Sequence, residues 1–271
     1  MPKSVFYLSD GTGITVETLG NTLLTQFEQV EFNKQHFPYL NSKDKVQEIV
    51  QQVNAICETD ESLPLVFSTI VEPESRVLVK SSNALVFDLF DIFIGPIESK
   101  LGIKSSRHIG HSHGMGNSDI YKARIDSVHY TLDHDDGAKI NNFSSSDIIL
   151  LGVSRCGKTP TCLYLALNYG TRAANYPLTP EDLQMGGLPQ CLQPHREKIF
   201  GLSINPKRLQ QIRQERRPNS RYAELAQCQT ETRNAEALFQ QENVPYLNTS
   251  TMSVEEIATH ILQKSKLKRR F

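Results

Sequence analysis

Apolar residues along this chain come in short runs separated by longer stretches of helical period. Runs at 5–8, 32–40, 65–69 and 85–88 predict strands in the first half, and runs at 147–154, 172–176, 198–204 and 245–247 predict strands in the second. Helical spacing predicts helices over 16–27, 43–57, 90–101 and 120–132, then over 161–167, 206–217, 222–241 and 254–263. Within 120–132, Ile125, Val128 and Leu132 share one face. Ser253 followed by Glu256 makes a capping box at the last helix. Strand–helix alternation of this kind is an α/β pattern. The polar stretch 135–146 has no period and is the expected linker between two α/β domains, 1–145 and 146–271. No internal repeat and no low-complexity tract is visible.

The second domain opens on Gly152, Val153, Ser154, Arg155, Cys156, Gly157, Lys158 and Thr159, which match the phosphate-loop pattern G-x-x-x-x-G-K-[ST]. A strand precedes them and a helix follows. Backbone N–H groups and the helix dipole at such a turn hold an anion. Lys158 adds a positive charge for the outer phosphates and is the first catalytic candidate. The Thr159 hydroxyl can ligate magnesium. The C-terminal domain is therefore expected to be a phosphate-loop, kinase-like parallel sheet with flanking helices. Cys156 lies in the anion loop, where its N–H matters more than its sulfur, and is expected to have no covalent role. An ordinary phosphate-loop ATPase has a second apolar strand ending in aspartate. Here the strand 198–204 ends in Asn205-Pro206, which argues against a motor or a switch GTPase. Magnesium is then left to Thr159 and a carboxylate elsewhere.

Asp135 and Asp136, in His134-Asp135-Asp136-Gly137, are candidates for that carboxylate. They could hold magnesium or take a proton from an acceptor hydroxyl, or simply end a helix that Gly137 caps. Asp10, Gly11, Thr12 and Gly13 form a second glycine-rich turn from strand to helix. That turn is either a second phosphate or acceptor site or only a tight connection. Arg213, Arg216 and Arg217 could stabilise charge on a moving phosphoryl group, or form a solvated basic face. His108, His111 and His113 share a loop without the further ligands a zinc site needs.

The chain of 271 residues carries 29 basic and 30 acidic side chains, so no global field favours nucleic acid. The basic end, Lys264 to Arg270, reads as a solvated tail. No apolar run reaches membrane-spanning length, and the N-terminus has no signal-peptide architecture. Five scattered cysteines without a C-x-x-C pair fit a reducing cytoplasm better than a disulfide framework.

Four segments occur in order: Ser9-Asp10-Gly11-Thr12-Gly13-Ile14-Thr15, His134-Asp135-Asp136-Gly137, Gly152 through Thr161, and Arg172-Ala173-Ala174-Asn175-Tyr176-Pro177. Together they resemble the bacterial phosphoenolpyruvate synthase regulatory proteins, relatives of the plant regulatory proteins of pyruvate, phosphate dikinase. The resemblance runs on through Phe200-Gly201-Leu202 and the arginine helix to Thr259, nearly the whole chain. Cys156-Gly157-Lys158 is similar to the synthase-directed branch. The resemblance implies a bifunctional enzyme. It would phosphorylate a threonine of phosphoenolpyruvate synthase with ADP as donor, releasing AMP and inactivating the target. It would also remove that phosphate by attack of inorganic phosphate, giving pyrophosphate and restoring activity. ADP and inorganic phosphate would be substrates, with magnesium expected, in a cytoplasmic homodimer. The nucleotide site carries over onto the eight residues of the phosphate loop, and Asp10, Asp135 and Asp136 stand in matching segments. Neither ADP preference nor phosphorolysis follows from residue chemistry. Two other readings stay open: a small-molecule kinase with the arginine helix as a lid, and a non-catalytic ADP-sensing adaptor.

Overall fold

The computed structural model describes residues 2–59, 63–106, 118–136 and 143–267. It divides into two units, Met1–Gly114 and Met115–Phe271, each built on a four-stranded parallel sheet. The expected α/β architecture with two sheets is what the chain adopts. His108, His111, His113, Gly137 and the last four residues lie outside the described residues. Among the described residues, no helix is long and apolar enough to cross a membrane.

The first unit runs β1 (Lys3–Leu8), α1 (Ile14–Leu24), β2 (Phe32–Phe37), α2 (Lys43–Thr59), β3 (Leu65–Ser68), α3 (Pro73–Lys80), β4 (Leu85–Asp88) and α4 (Leu89–Leu101). The strand order is β2-β1-β3-β4. Strand β1 reads as a continuous apolar run because both its faces are covered. Phe6 and Leu8 join a cluster with Val46, Val50 and Val53 of α2, while Val5 and Tyr7 join one with Val16 and Leu24 of α1. The pattern did not predict α3. That helix has eight residues, too few to show a period, and its buried face includes a charge, Arg76, 2.8 Å from Asp88. Its start is chemical: Glu72 accepts from the N–H groups of Glu74 and Ser75, and Pro73 opens the first turn.

The second unit runs α5 (Ser118–Asp133), β5 (Ile148–Gly152), α6 (Lys158–Tyr169), β6 (Ala173–Pro177), α7 (Pro180–Met185), β7 (Ile199–Ser203), α8 (Pro206–Arg216), α9 (Leu225–Gln241), β8 (Tyr246–Asn248) and α10 (Val254–Lys264). Its strand order is β6-β5-β7-β8. Ile149, Leu150 and Leu151 are wholly buried and form the core with Phe200, Leu202 and Phe239. The Ser253–Glu256 capping box is present at α10. Although the sequence shows no repeat, the two sheets share one strand order. In each, the first strand lies between the second and third, a topological switch point whose crevice opens at the strands' carboxyl ends. The glycine-rich turns after β1 and β5 both stand there.

The division between units falls at Gly114/Met115, not near 145. Helix α5 belongs with the second sheet, and its contacts explain the difference. Its buried positions are Ser127 and Thr131, followed by His134, while Leu132 is 55% exposed. The Ser127 hydroxyl donates to the Gly170 carbonyl at 2.7 Å, and the Thr131 hydroxyl donates to the Ala173 carbonyl at 2.9 Å. A helix docked by hydroxyls onto carbonyls has its innermost positions written in polar residues, so the expected Ile125–Val128–Leu132 face is only half-buried at Ile125 and Val128 and exposed at Leu132. Thr131→Val keeps the volume and removes the donor. It is expected to cost about 1–3 kcal/mol, read as a lower urea midpoint, because a buried carbonyl loses its partner.

Candidate active site

The loop between β5 and α6 forms where a buried strand must turn sharply. Gly152 is required by close approach: a Cβ there would collide with the Leu202 carbonyl. Gly157, at the N-cap of α6, has φ +96°, and Arg155 also sits in the left-handed region at φ +76°. Lys158, at the head of α6, is 4% exposed. Its ammonium donates to the Val153 carbonyl at 2.9 Å and has no carboxylate within ion-pair distance among the described residues. A buried cation without a counter-charge is costly, and an anion bound against the loop would offset that cost.

Thr159, next on the helix, donates from Oγ1 to Asp135 Oδ1 at 2.8 Å. Asn175, from the neighbouring strand β6 and 1% exposed, donates from Nδ2 to the same oxygen at 2.5 Å and to Thr159 Oγ1 at 2.9 Å. It also reaches Asp136 Oδ1 at 3.3 Å. The Asn175 N–H donates to the His134 carbonyl at 3.0 Å, which fixes this segment against β6. His134 stacks on Tyr130 at 4.0 Å, with its Nδ1 2.8 Å from the Tyr130 carbonyl. The helix end thus delivers Asp135 to the loop, and Asp136, exposed and at φ +47°, turns outward. The structure brings Asp135 against Thr159, with Asn175 bonded to both and to Asp136, while Lys158, the residue before Thr159, faces the Val153 carbonyl. Asn205, two residues beyond β7, caps α8 by accepting from the Lys207 N–H.

The arginine helix behaves differently from its expected role. Arg213 is wholly buried. Its guanidinium lies 4.0 Å over the Tyr222 ring and donates to the Ser154 carbonyl at 3.1 Å, the Tyr222 carbonyl at 3.0 Å and Glu231 at 2.6 Å. It anchors the loop from behind and is not a free charge for a moving phosphate. Arg216 and Arg217 are exposed at the end of α8. Thr249 supports the loop from the β8 side, donating to the Cys156 carbonyl at 2.9 Å. Neither Asn175, Thr249, Tyr222 nor Glu231 was assigned a role from sequence. The one signal was Asn175, a polar residue in a strand of buried alanines. In the first unit, Asp10 Oδ2 accepts from the Val71 N–H at 2.6 Å, the Gly11 N–H donates to Ser9 Oγ at 3.1 Å, and Gly13 starts α1 at φ +79°. Thr12 is exposed between them.

The sequence model of the kinase/pyrophosphorylase family matches residues 5–262. The chain belongs to that family. A protein of Legionella pneumophila (strain Corby) is 51% identical over 270 residues, covering the whole of both chains. One from Pseudomonas savastanoi pv. phaseolicola is 49% identical over 271 residues, again at full length. Both carry the name "Putative phosphoenolpyruvate synthase regulatory protein".

Two outcomes test the site's construction. Arg213→Ala strands Glu231 and two carbonyls and is expected to destabilise the protein by about 3 kcal/mol. Arg216→Ala should change stability by less than about 0.5 kcal/mol. Comparison of denaturant midpoints checks both. Burial pushes the Cys156 thiol up, more than Lys158 pulls it down. It therefore stays protonated at neutral pH, and iodoacetamide in the native state should label Cys57 before Cys156. Mass spectrometry of the labelled peptides decides, and rapid native labelling of Cys156 would contradict its burial.

Proposed function

We propose that this chain phosphorylates a threonine of phosphoenolpyruvate synthase using ADP, releasing AMP, and removes the phosphate by phosphorolysis, releasing pyrophosphate. The observation that carries the reading is the Thr159–Asp135–Asn175 cluster beside the buried, uncompensated Lys158. Family membership and the relatives' names support the reaction class and the target. The loop itself follows β5, the strand at the switch point, where a phosphate loop binds its anion.

In the forward reaction the target threonine oxygen attacks the terminal phosphorus of ADP. The bond to the AMP oxygen breaks, and the hydroxyl proton leaves to a base. Lys158 exchanges the Val153 carbonyl for phosphate oxygens. Asp136, the exposed member of the carboxylate pair, takes the proton. In the second reaction an oxygen of inorganic phosphate attacks the phosphothreonine phosphorus, and the threonine oxygen leaves with the proton. One site serves both, because both join two phosphoryl groups and one hydroxyl oxygen. The oxygens of Thr159 and Asp135 fit magnesium as hard donors, and Asn175 would join them by turning its amide so that Oδ1, buried with no hydrogen-bond partner among the described residues, replaces Nδ2. Magnesium bound there would neutralise charge on the donor phosphates. Asp135 then stands in for the aspartate that β7 lacks.

Incubation with ADP, magnesium and the synthase tests the reading. Phosphothreonine on the target with stoichiometric AMP is expected. A phosphorylated metabolite would point to a small-molecule kinase, and binding without turnover to an adaptor. Lys158→Met is expected to slow AMP release more than a hundredfold, about 3 kcal/mol of transition-state stabilisation. Asp136→Asn should cut phosphorylation strongly while the ADP Kd from calorimetry changes little. Asp135→Asn should in addition raise the magnesium concentration needed for half-maximal rate.

A further inference from the structure

The carboxyl ends of β7 and β8 carry a feature that the chemistry above does not use. An open cleft of about 470 Å³ lies there, lined by Ile204 and Asn205 after β7, Gln229, Arg233 and Glu236 on one face of α9, and Asn248 at the end of β8. Its size is within the roughly 300–1,000 Å³ of small-molecule sites. The cleft is coupled to the glycine-rich loop through a single residue. Thr249 follows Asn248 directly, and its hydroxyl meets the Cys156 carbonyl and the Ser203 carbonyl, at 2.9 and 3.0 Å. Ser203 in turn donates to Glu236 inside the cleft.

The lining chooses among ligands. A carboxylate, Glu236, sits among the donors, so a phosphate would meet repulsion here. Glu236 uses one oxygen on Ser203 and leaves the other to accept. Asn205 and Asn248 each use their carbonyl oxygen on local backbone N–H groups, which leaves their amide nitrogens to donate. Gln229 can do either, and Ile204 supplies an apolar floor. An array with both donors and acceptors, one carboxylate and one guanidinium suits a neutral group with a diol and a heterocyclic edge. Topology narrows it further. Strand β6, on one side of β5, brings Asn175 to the Thr159–Asp135 cluster, whereas β7 and β8 lie on the other side. A nucleotide held by the loop, with its terminal phosphate at that cluster, extends its nucleoside toward β8.

We infer that this cleft is the nucleoside subsite for the diphosphate nucleotide whose phosphates the loop holds. The inference rests on the nucleotide reading above. The test compares two probes, ADP and inorganic pyrophosphate, titrated by calorimetry with magnesium against wild type, Arg233→Ala and Gln229→Trp. Both substitutions fall on exposed positions of α9. The expected result is an ADP Kd raised about tenfold, the worth of one or two hydrogen bonds, with pyrophosphate affinity unchanged. Wild-type affinity for ADP in both variants would overturn the cleft assignment and leave the loop reading standing. Equal loss of both probes would also overturn it, since the change would then act through the loop. If wild type binds neither probe, the nucleotide reading falls and the cleft assignment with it.

Discussion

A tight loop turned against a buried sheet must find donors for its own carbonyls, and the second unit is organised around that accounting. Gly152 O accepts from the Leu178 N–H, and Gly157 O from the N–H and hydroxyl of Thr161. Val153 O accepts from Lys158, Ser154 O from Arg213, and Cys156 O from Thr249. Apart from the local turn of α6, these donors come from the β6–α7 connection, from α8 and from the segment after β8. Each is brought in by a different strand crossover. With these carbonyls engaged on the protein side and the Cys156 N–H turned to the Val153 carbonyl, the loop's remaining N–H groups can meet a ligand.

This division of labour separates what the sequence could show from what it could not. The eight-residue loop is local in sequence and could be read from spacing, whereas Asp135 was a candidate through its segment, with a helix terminus as the alternative. The supports are not local. Arg213 is 59 residues from Ser154, and Thr249 is 93 from Cys156. Their roles exist only once β7 and β8 are ordered beside β5. Arg213 also illustrates a bias in reading charge. A guanidinium on a helix of mean polar character looks solvated, yet stacking on Tyr222 and pairing with Glu231 make burial affordable. The same bias misplaced the domain boundary, since α5 docks by hydroxyls that read as solvent-facing.

The two sheets repeat one topology but use their first turns differently. After β1, Asp10 and Ser9 are spent on the Val71 and Gly11 N–H groups, and the Ser9 carbonyl accepts from the Leu40 N–H. After β5, the side chains that matter face a lysine and a cluster of oxygens. Equal folds therefore do not carry equal chemistry, and the difference lies in which polar atoms are already engaged.

The hydroxyl docking of α5 sets what holds Asp135 and Asp136 in place. The fully enclosed positions of this seam are Ser127, Thr131 and His134, and half-buried Tyr130 packs against the core beside them. Polar exposure on unfolding lowers the heat-capacity change and apolar exposure raises it, so this seam contributes less to it per unit area than the Ile149–Leu151 core. Asp135 and Asp136 ride on the end of the helix, so their register against Thr159 and Asn175 is set by hydroxyl–carbonyl bonds as well as by apolar packing.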